Sequence, residues 1–219
     1  MIVGVEGQPN YEIVAVHGST PTIDGSISVG DWGDAASVSF NNTMVFVKQD
    51  GENLYVAFNV SDSTFNANEN VHMFFDVNHG GGSSCQPDDI LMGVFRNGTL
   101  IERYLVNGTD VSATGWTASV HNTTEVWQAE FNITYSKINV TAGLEKTLGV
   151  AFEVIDFDFP YLFQTWPLNL RVGDPLDPSK WGDMISTGYN WIPEFPSFLI
   201  LSLFMIATLL AVIVYGKKQ

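Results

Sequence analysis

The sequence predicts an all-β chain: an antiparallel β-sandwich followed by one C-terminal transmembrane helix. Three observations point there. Apolar and polar residues alternate in short runs through most of the chain, turn-forming dipeptides separate those runs, and an uncharged apolar stretch closes the sequence. Almost no helical periodicity precedes that stretch, and no repeat of fixed period is visible.

Residues 1–19 read as an N-terminal strand or lead-in, and "MIVGVEGQPNYEIVAV" has neither the basic nor the long apolar region of a signal peptide. The sandwich is expected over 20–184. In "NLYVAFNVSD" Leu54, Val56, Phe58 and Val60 face one way and Tyr55, Ala57, Asn59 and Ser61 the other. In "VWQAEFNI" Trp127, Ala129, Phe131 and Ile133 oppose Val126, Gln128, Glu130 and Asn132. Further period-two runs lie at "MVFVKQ", "VHMFFDV", "DILMGVFR", "TASVH" and "LGVAFEVIDF", separated by Asp50-Gly51, "HGGGSS" and Asn97-Gly98. A short helical turn is expected at "TYSKIN", and "GDPLDPSKWGDM" reads as an irregular closing segment.

Residues 185–197 read as a proline-containing juxtamembrane stalk, 198–216 as the transmembrane helix and 217–219 as a cytoplasmic tail. Only Ser202 and Thr208 break the apolar run from Phe198 to Tyr215, which at helical rise covers roughly 27 Å, the thickness of a bilayer's hydrocarbon. A buried core helix is the alternative, but it would carry a polar stripe or lie among other helices. Trp191 and Tyr215 bracket the run, and Lys217 and Lys218 follow it, so the positive-inside rule puts the C-terminus in the cytoplasm and the domain outside.

The formal charge of -15 argues against nucleic acid as a partner and fits an acidic surface kept soluble by repulsion. With the single cysteine Cys85, the chain builds no intrachain disulfide, and stability rests on a packed core. Asn41, Asn59, Asn97, Asn107, Asn122, Asn132 and Asn139 each begin Asn-x-Ser/Thr without proline, against roughly two such triplets expected by chance. Turn chemistry accounts for Asn97 and Asn107, but not for Asn59 or Asn132 within strand-like runs, so a glycosylated outer surface is expected.

"TPTIDGSISVGDWGDA", "VKQDGENLYVAFNVSD", "MFFDVNHGGG" with "PDDI", "WQAEFNI" and "KWGDM", in that order over 20–184, resemble the signatures of DOMON-like domains of the family 9 carbohydrate-binding-module type. The resemblance implies an all-β sandwich that binds sugars in some relatives and haem in others, often as an extracellular module. "PEFPS" ahead of the apolar run is similar to the sorting signals of archaeal surface proteins that an archaeosortase cuts and re-anchors. It implies recognition roles for Pro193, Glu194 and Phe195; the alternative is a stiff stalk in which the prolines only stop regular structure.

Catalysis is not expected, because Glu153 and Asp156 in "FEVIDFDF" alternate onto opposite faces and Ser83 and Ser84 near His79 lack a nucleophile elbow. His17 and His121 read as ordinary strand or surface residues, and Cys85, with no basic neighbour, as an unreactive thiol. For haem the available ligands are Met73, Met92, His72 and His79, but Met73 and His72 alternate and the methionines read more simply as core. Asp76 and Asn78 end one strand and Asp88 and Asp89 begin the next, so the hairpin gathers oxygen ligands suited to calcium; solvated acidic residues at strand ends are the alternative. A sugar site needs an open ring with amide, carboxylate or guanidinium partners. Trp127 belongs to the core pattern, Trp32 and Trp181 to the entry and closing segments, and Trp191 to the membrane end, which leaves Trp166, with Tyr161, Gln164, Asn169 and Arg171 around it, and Trp116. A buried ring capping the sandwich is the other reading of Trp166. A surface module that presents glycans without binding a sugar shares all of these features.

Overall fold

The computed structural model describes residues 11–157, 162–168, 170 and 176–187. Residues 198–216, expected to span the membrane, and Pro193, Glu194 and Phe195 lie outside the described residues, among which no helix is long and apolar enough to cross a membrane.

Thirteen strands form among the described residues: β1 (Glu12–His17), β2 (Ala36–Phe40), β3 (Thr43–Gln49), β4 (Asn53–Ser61), β5 (Asn70–Asp76), β6 (Asp89–Phe95), β7 (Leu100–Tyr104), β8 (Thr109–Asp110), β9 (Trp116–Asn122), β10 (Val126–Thr134), β11 (Lys146–Asp156), β12 (Leu162–Trp166) and β13 (Gly182–Ser186). One helical turn, α1 (Val29–Trp32), precedes β2, with Ser28 as its N-cap accepting from the Asp31 amide. The sheet order is β8-β7-β6-β5-β11-β13-β1-β3-β4-β10-β9, with β12 added to β11 and β2 to β3.

This is one curled sheet that folds over as two layers, and β1 makes the corner. Glu12 to Ala15 pair with β13, whereas Val16 and His17 pair with β3. Both pairings are parallel, so the sheet is mixed rather than purely antiparallel as the sequence suggested. Layer A is β8-β7-β6-β5-β11 with β12 and β13; layer B is β2 and β3-β4-β10-β9. "TYSKIN" forms hydrogen-bonded turns over 135–139 instead of a helical turn.

The inward faces follow the alternation read from the sequence. Leu54, Val56, Phe58, Trp127, Phe131 and Ile133 of layer B meet Val71, Met73, Met92, Phe152 and Val154 of layer A in one core. Phe58 sits edge-on to both Phe131 (5.9 Å) and Phe152 (5.7 Å), so the two layers interdigitate rather than abut.

The outer face of layer B is not the solvated face that alternation implies. Tyr55 and Ala57 are buried against Trp32, and Glu130 is fully buried. Glu130 organises the covering segment: it accepts from Trp32 Nε1 (2.6 Å) and from the amides of Asp24 (2.9 Å) and Gly25 (2.6 Å). Lys48, also fully buried, donates to Asp34 Oδ1 (2.8 Å) and lies over the Trp32 ring (5.5 Å). At one end of the sandwich, buried Arg96 donates to Asp62 (2.6 Å), Glu69 (2.6 Å) and Asn122 (2.9 Å) and stacks on Trp127, joining the β4–β5 loop, the β6–β7 turn and the end of β9 through one guanidinium.

Candidate ligand-binding face

Two of the rings singled out from the sequence are structural. Trp166 is 5% exposed, packs on Phe152 (5.5 Å) and edge-on to Tyr11 (6.1 Å), and leans on Gly182, where a Cβ would lie 2.7 Å from its ring. Trp116, also 5% exposed, stacks on Phe131 (6.0 Å) and turns its Nε1 inward to Glu102 (2.6 Å), although its rim borders a shallow hollow with Thr117 and Asn132. Neither offers an open face to a sugar, which corrects the expectation for both. Gln164 points inward with Trp166 because β12 pairs Gln164 with Val154 and Trp166 with Phe152; it accepts from Thr43 Oγ1 of the other layer (3.2 Å). Tyr161, Asn169 and Arg171 lie outside the described residues.

The outer face of layer A instead carries functional groups in three rows. Strand register fixes them, since residues opposite one another in a ladder share a face. His72 stands between Gly93 of β6 and Glu153 of β11; Phe74 between Leu91 and Ala151; Asp76 between Asp89 and Gly149. The middle row is apolar and lies under Trp181 and Leu170.

In the first row His72 Nδ1 bonds Glu153 Oε2 at 3.0 Å. A carboxylate only accepts, so Nδ1 carries the proton and, in the neutral ring, Nε2 offers a lone pair. That Nε2 is buried without a hydrogen-bond partner, as is Asn70 Oδ1 two residues earlier on the same face. Gly93 makes room for the imidazole: a Cβ there would stand 2.5 Å from His72 Cδ2. Beside this row, Ile155 pairs with both Asn70 and Phe163; Ile155 is half-buried, Phe163 is 45% exposed and Phe157 39%. Half-open apolar surface therefore borders two orphaned acceptors and a carboxylate. The sequence pattern had set His72 apart only as a haem candidate. Met73 and Met92 are fully buried in the core opposite His72, and His79 sits on an exposed turn bonded to Asp183 (2.8 Å), so these side chains share no pocket.

The third row brings Asp76, Asp88 and Asp89 together, one carboxylate oxygen from each within 4.8 Å of the others. Asp76 accepts from the amides of Gly80 (3.0 Å) and Gly81 (2.8 Å), Asp88 from that of Asn78 (2.9 Å) and Asp89 from that of Gln86 (2.6 Å). Asp89 Oδ1 is buried with no partner. Burial first, then the neighbouring charges of Asp76 and Asp88, push the Asp89 carboxyl up to about 6. This all-oxygen set fits a calcium ion, which would take up the orphaned oxygen and relieve the repulsion. Asn78 is exposed, and its backbone N–H donates to Asp88. Cys85, nearby, donates to the Leu176 carbonyl, and burial followed by the charges of Asp89, Asp177 and Asp76 pushes its thiol up to about 11.

Among the sequons, Asn41, Asn97, Asn107 and Asn139 sit on exposed turns, whereas the Asn122 amide donates to the Arg96 carbonyl (3.3 Å). Asn59 and Asn132 are half-buried on the outer face of layer B.

Neither a protein-family model nor a curated protein sequence matches the chain. Solved structures do. A family 9 carbohydrate-binding module from Caldicellulosiruptor kristjanssonii in complex with cellotriose matches with TM-score 0.66 at 19% identity, over 84% of this chain and 98% of that one. The module from that organism in complex with glucose gives 0.65 at 19%, over 84% and 99%. A candidate carbohydrate-binding protein from Bacteroides uniformis gives 0.53 at 12%, over 81% and 100%. The chain thus has the fold of family 9 carbohydrate-binding modules.

Proposed function

We propose that this protein is a non-catalytic, cell-surface carbohydrate-binding module whose ligand lies on the outer face of layer A, across β5, β11 and β12. The observation that carries the reading is the pair of orphaned acceptors, Asn70 Oδ1 and His72 Nε2, beside Glu153 and the half-open Ile155 and Phe163. A buried acceptor left unpaired costs about 1–3 kcal/mol. Sugar hydroxyls are donors that satisfy both once the side chains covering these two atoms turn aside, while the C–H face of the ring rests on the open Phe163. Two residues on one strand face stand roughly 7 Å apart, a spacing that neighbouring hydroxyls of one or two sugar units span. Tyr161, Asn169 and Arg171, which lie outside the described residues, belong to this proposal as further polar partners for the sugar hydroxyls. The complexes of similarly folded modules with cellotriose and glucose support a neutral gluco-oligosaccharide as ligand.

In the same reading Asp76, Asp88 and Asp89 hold a structural calcium ion that fixes the β5–β6 loop beside the ligand face. The apolar run from Phe198 to Tyr215 anchors the domain in the membrane, and Pro193, Glu194 and Phe195 serve processing by an archaeosortase-type enzyme. Calorimetric titration of the full chain with cellotriose tests the central reading. Binding weakened at least tenfold by Phe163→Ala with unchanged melting, and by Asn70→Ala when measured below that variant's own melting range, is the expected result. No heat at millimolar cellotriose, or equal binding by both variants, would reject it.

A further inference from the structure

The opposite face of the molecule holds a hollow of about 270 Å³ that sugar binding on layer A leaves unused, lined by Ile27, Val29, Trp32, Phe46, Asn59 and Gln128 among others. Its surface is mostly carbon. Val29 at its edge is 90% exposed, whereas Trp32 of the same covering segment is buried and Ile23, Ile27 and Ala35 are half-buried. Asn59 forms part of the wall and begins the triplet Asn59-Val60-Ser61. Its side-chain oxygen is fixed, accepting from Gln128 Nε2 at 2.9 Å, while Gln128 Oε1 is held by the Ile27 amide at 3.1 Å. The Asn59 Nδ2 makes no hydrogen bond among the described residues, in contrast to the amide of Asn122, which the Arg96 carbonyl engages.

We infer that Asn59 carries an N-linked glycan and that its first sugar lies in this hollow, against Phe46 and Val29. The attachment joins Nδ2 to C1 of a sugar delivered by a lipid-phosphate-linked oligosaccharide. The C1–O bond to phosphate breaks, the phosphate leaves with the electron pair, and Nδ2 loses one proton. The glycan then covers carbon surface that the chain leaves open, and the exposed Val29 gains a partner. The inference stands on the sequon and this hollow and does not depend on the ligand face of layer A.

Protein purified from the glycosylating source cell and the same chain made in a non-glycosylating bacterial host provide the test. Peptide mass spectrometry of the source protein is expected to find Asn59 occupied. Ser61→Ala removes the triplet without touching a side-chain hydrogen bond, and Val29→Ser removes the proposed apolar contact. In glycosylated protein each is expected to lower Tm by roughly 2–4 °C, the shift that losing about 1 kcal/mol of sugar contact gives in a domain of this size. The double variant is expected to lose no more than Ser61→Ala alone, which already removes the glycan that Val29 would meet. In the bacterial protein all are expected to melt together. An unmodified Asn59 in the source protein overturns the modification; an occupied Asn59 with unshifted or fully additive Tm values overturns the seat.

Discussion

Replacing Trp166 with alanine separates a structural ring from a ligand platform. The ring is 5% exposed and packed on Phe152, Tyr11 and the backbone at Gly182. A tryptophan buries about 150–250 Å², which at about 25 cal/mol per Å² corresponds to roughly 4–6 kcal/mol against an extended chain. The pairing of β12 with β11 at Phe152 keeps the neighbours from collapsing into the space. Truncation should therefore cost about 3–5 kcal/mol, a fall of roughly 6–20 °C in Tm for a domain of this size. Differential scanning calorimetry measures the fall, and cellotriose retention is then compared below the variant's melting range, where it should match the parent's. Trp166→Phe should recover much of the loss. A variant that melts within about 2 °C of the parent yet no longer retains cellotriose would show that Trp166 contacts the ligand and that the burial argument fails.

Three further outcomes follow from the same geometry. Saturating calcium should raise Tm by roughly 5–10 °C over chelated protein, and Asp89→Asn should abolish the difference; equal melting with and without calcium would remove the ion from the account. Because the fold holds Asp89 at about 6, above its unfolded value, protonated Asp89 favours the ion-free fold. That contribution is complete at low pH and is lost as pH rises through about 6, so the calcium-induced gain should be small at pH 5 and full at pH 7. A gain independent of pH would contradict this. Arg96→Met should cost about 3–5 kcal/mol by leaving Asp62 and Glu69 buried without their cation, and a loss under about 1 kcal/mol would show the network to be dispensable.

The strands were legible because alternation reports which side of a ladder meets a core. Leu54, Val56 and Phe58, or Trp127, Ala129 and Phe131, fall where the period places them. Alternation is silent about what covers the second side. Tyr55, Ala57 and Glu130 looked solvent-facing, yet Trp32 covers Tyr55 and Ala57, and Trp32 with the amides of Asp24 and Gly25 closes over Glu130 from about a hundred residues away in sequence. The parallel corner at β1 was hidden for a related reason: a parallel partner is set by the path of the whole chain, not by a local turn. The acidic cluster was readable because Asp76 and Asp89 are paired at adjoining strand ends. Trp166 misled because its polar neighbours in sequence suggested a loop. The same period of two applied to "LFQTW" puts Gln164 with Trp166 on the core side and Phe163 outside. His72 could likewise have been found as the polar residue opposite Val71, Met73 and Phe75, in register with the lone Glu153 of "AFEVID".

The most direct measurement is the ¹⁵N resonance of the His72 imidazole, recorded by NMR while cellotriose is titrated into the full chain. A saturable shift at Nε2 is expected, accompanied by perturbation of the Asn70 and Phe163 signals and absent in Phe163→Ala. Saturable binding that leaves these signals in place and moves others would put the ligand elsewhere, and no binding at all would contradict the function proposed here.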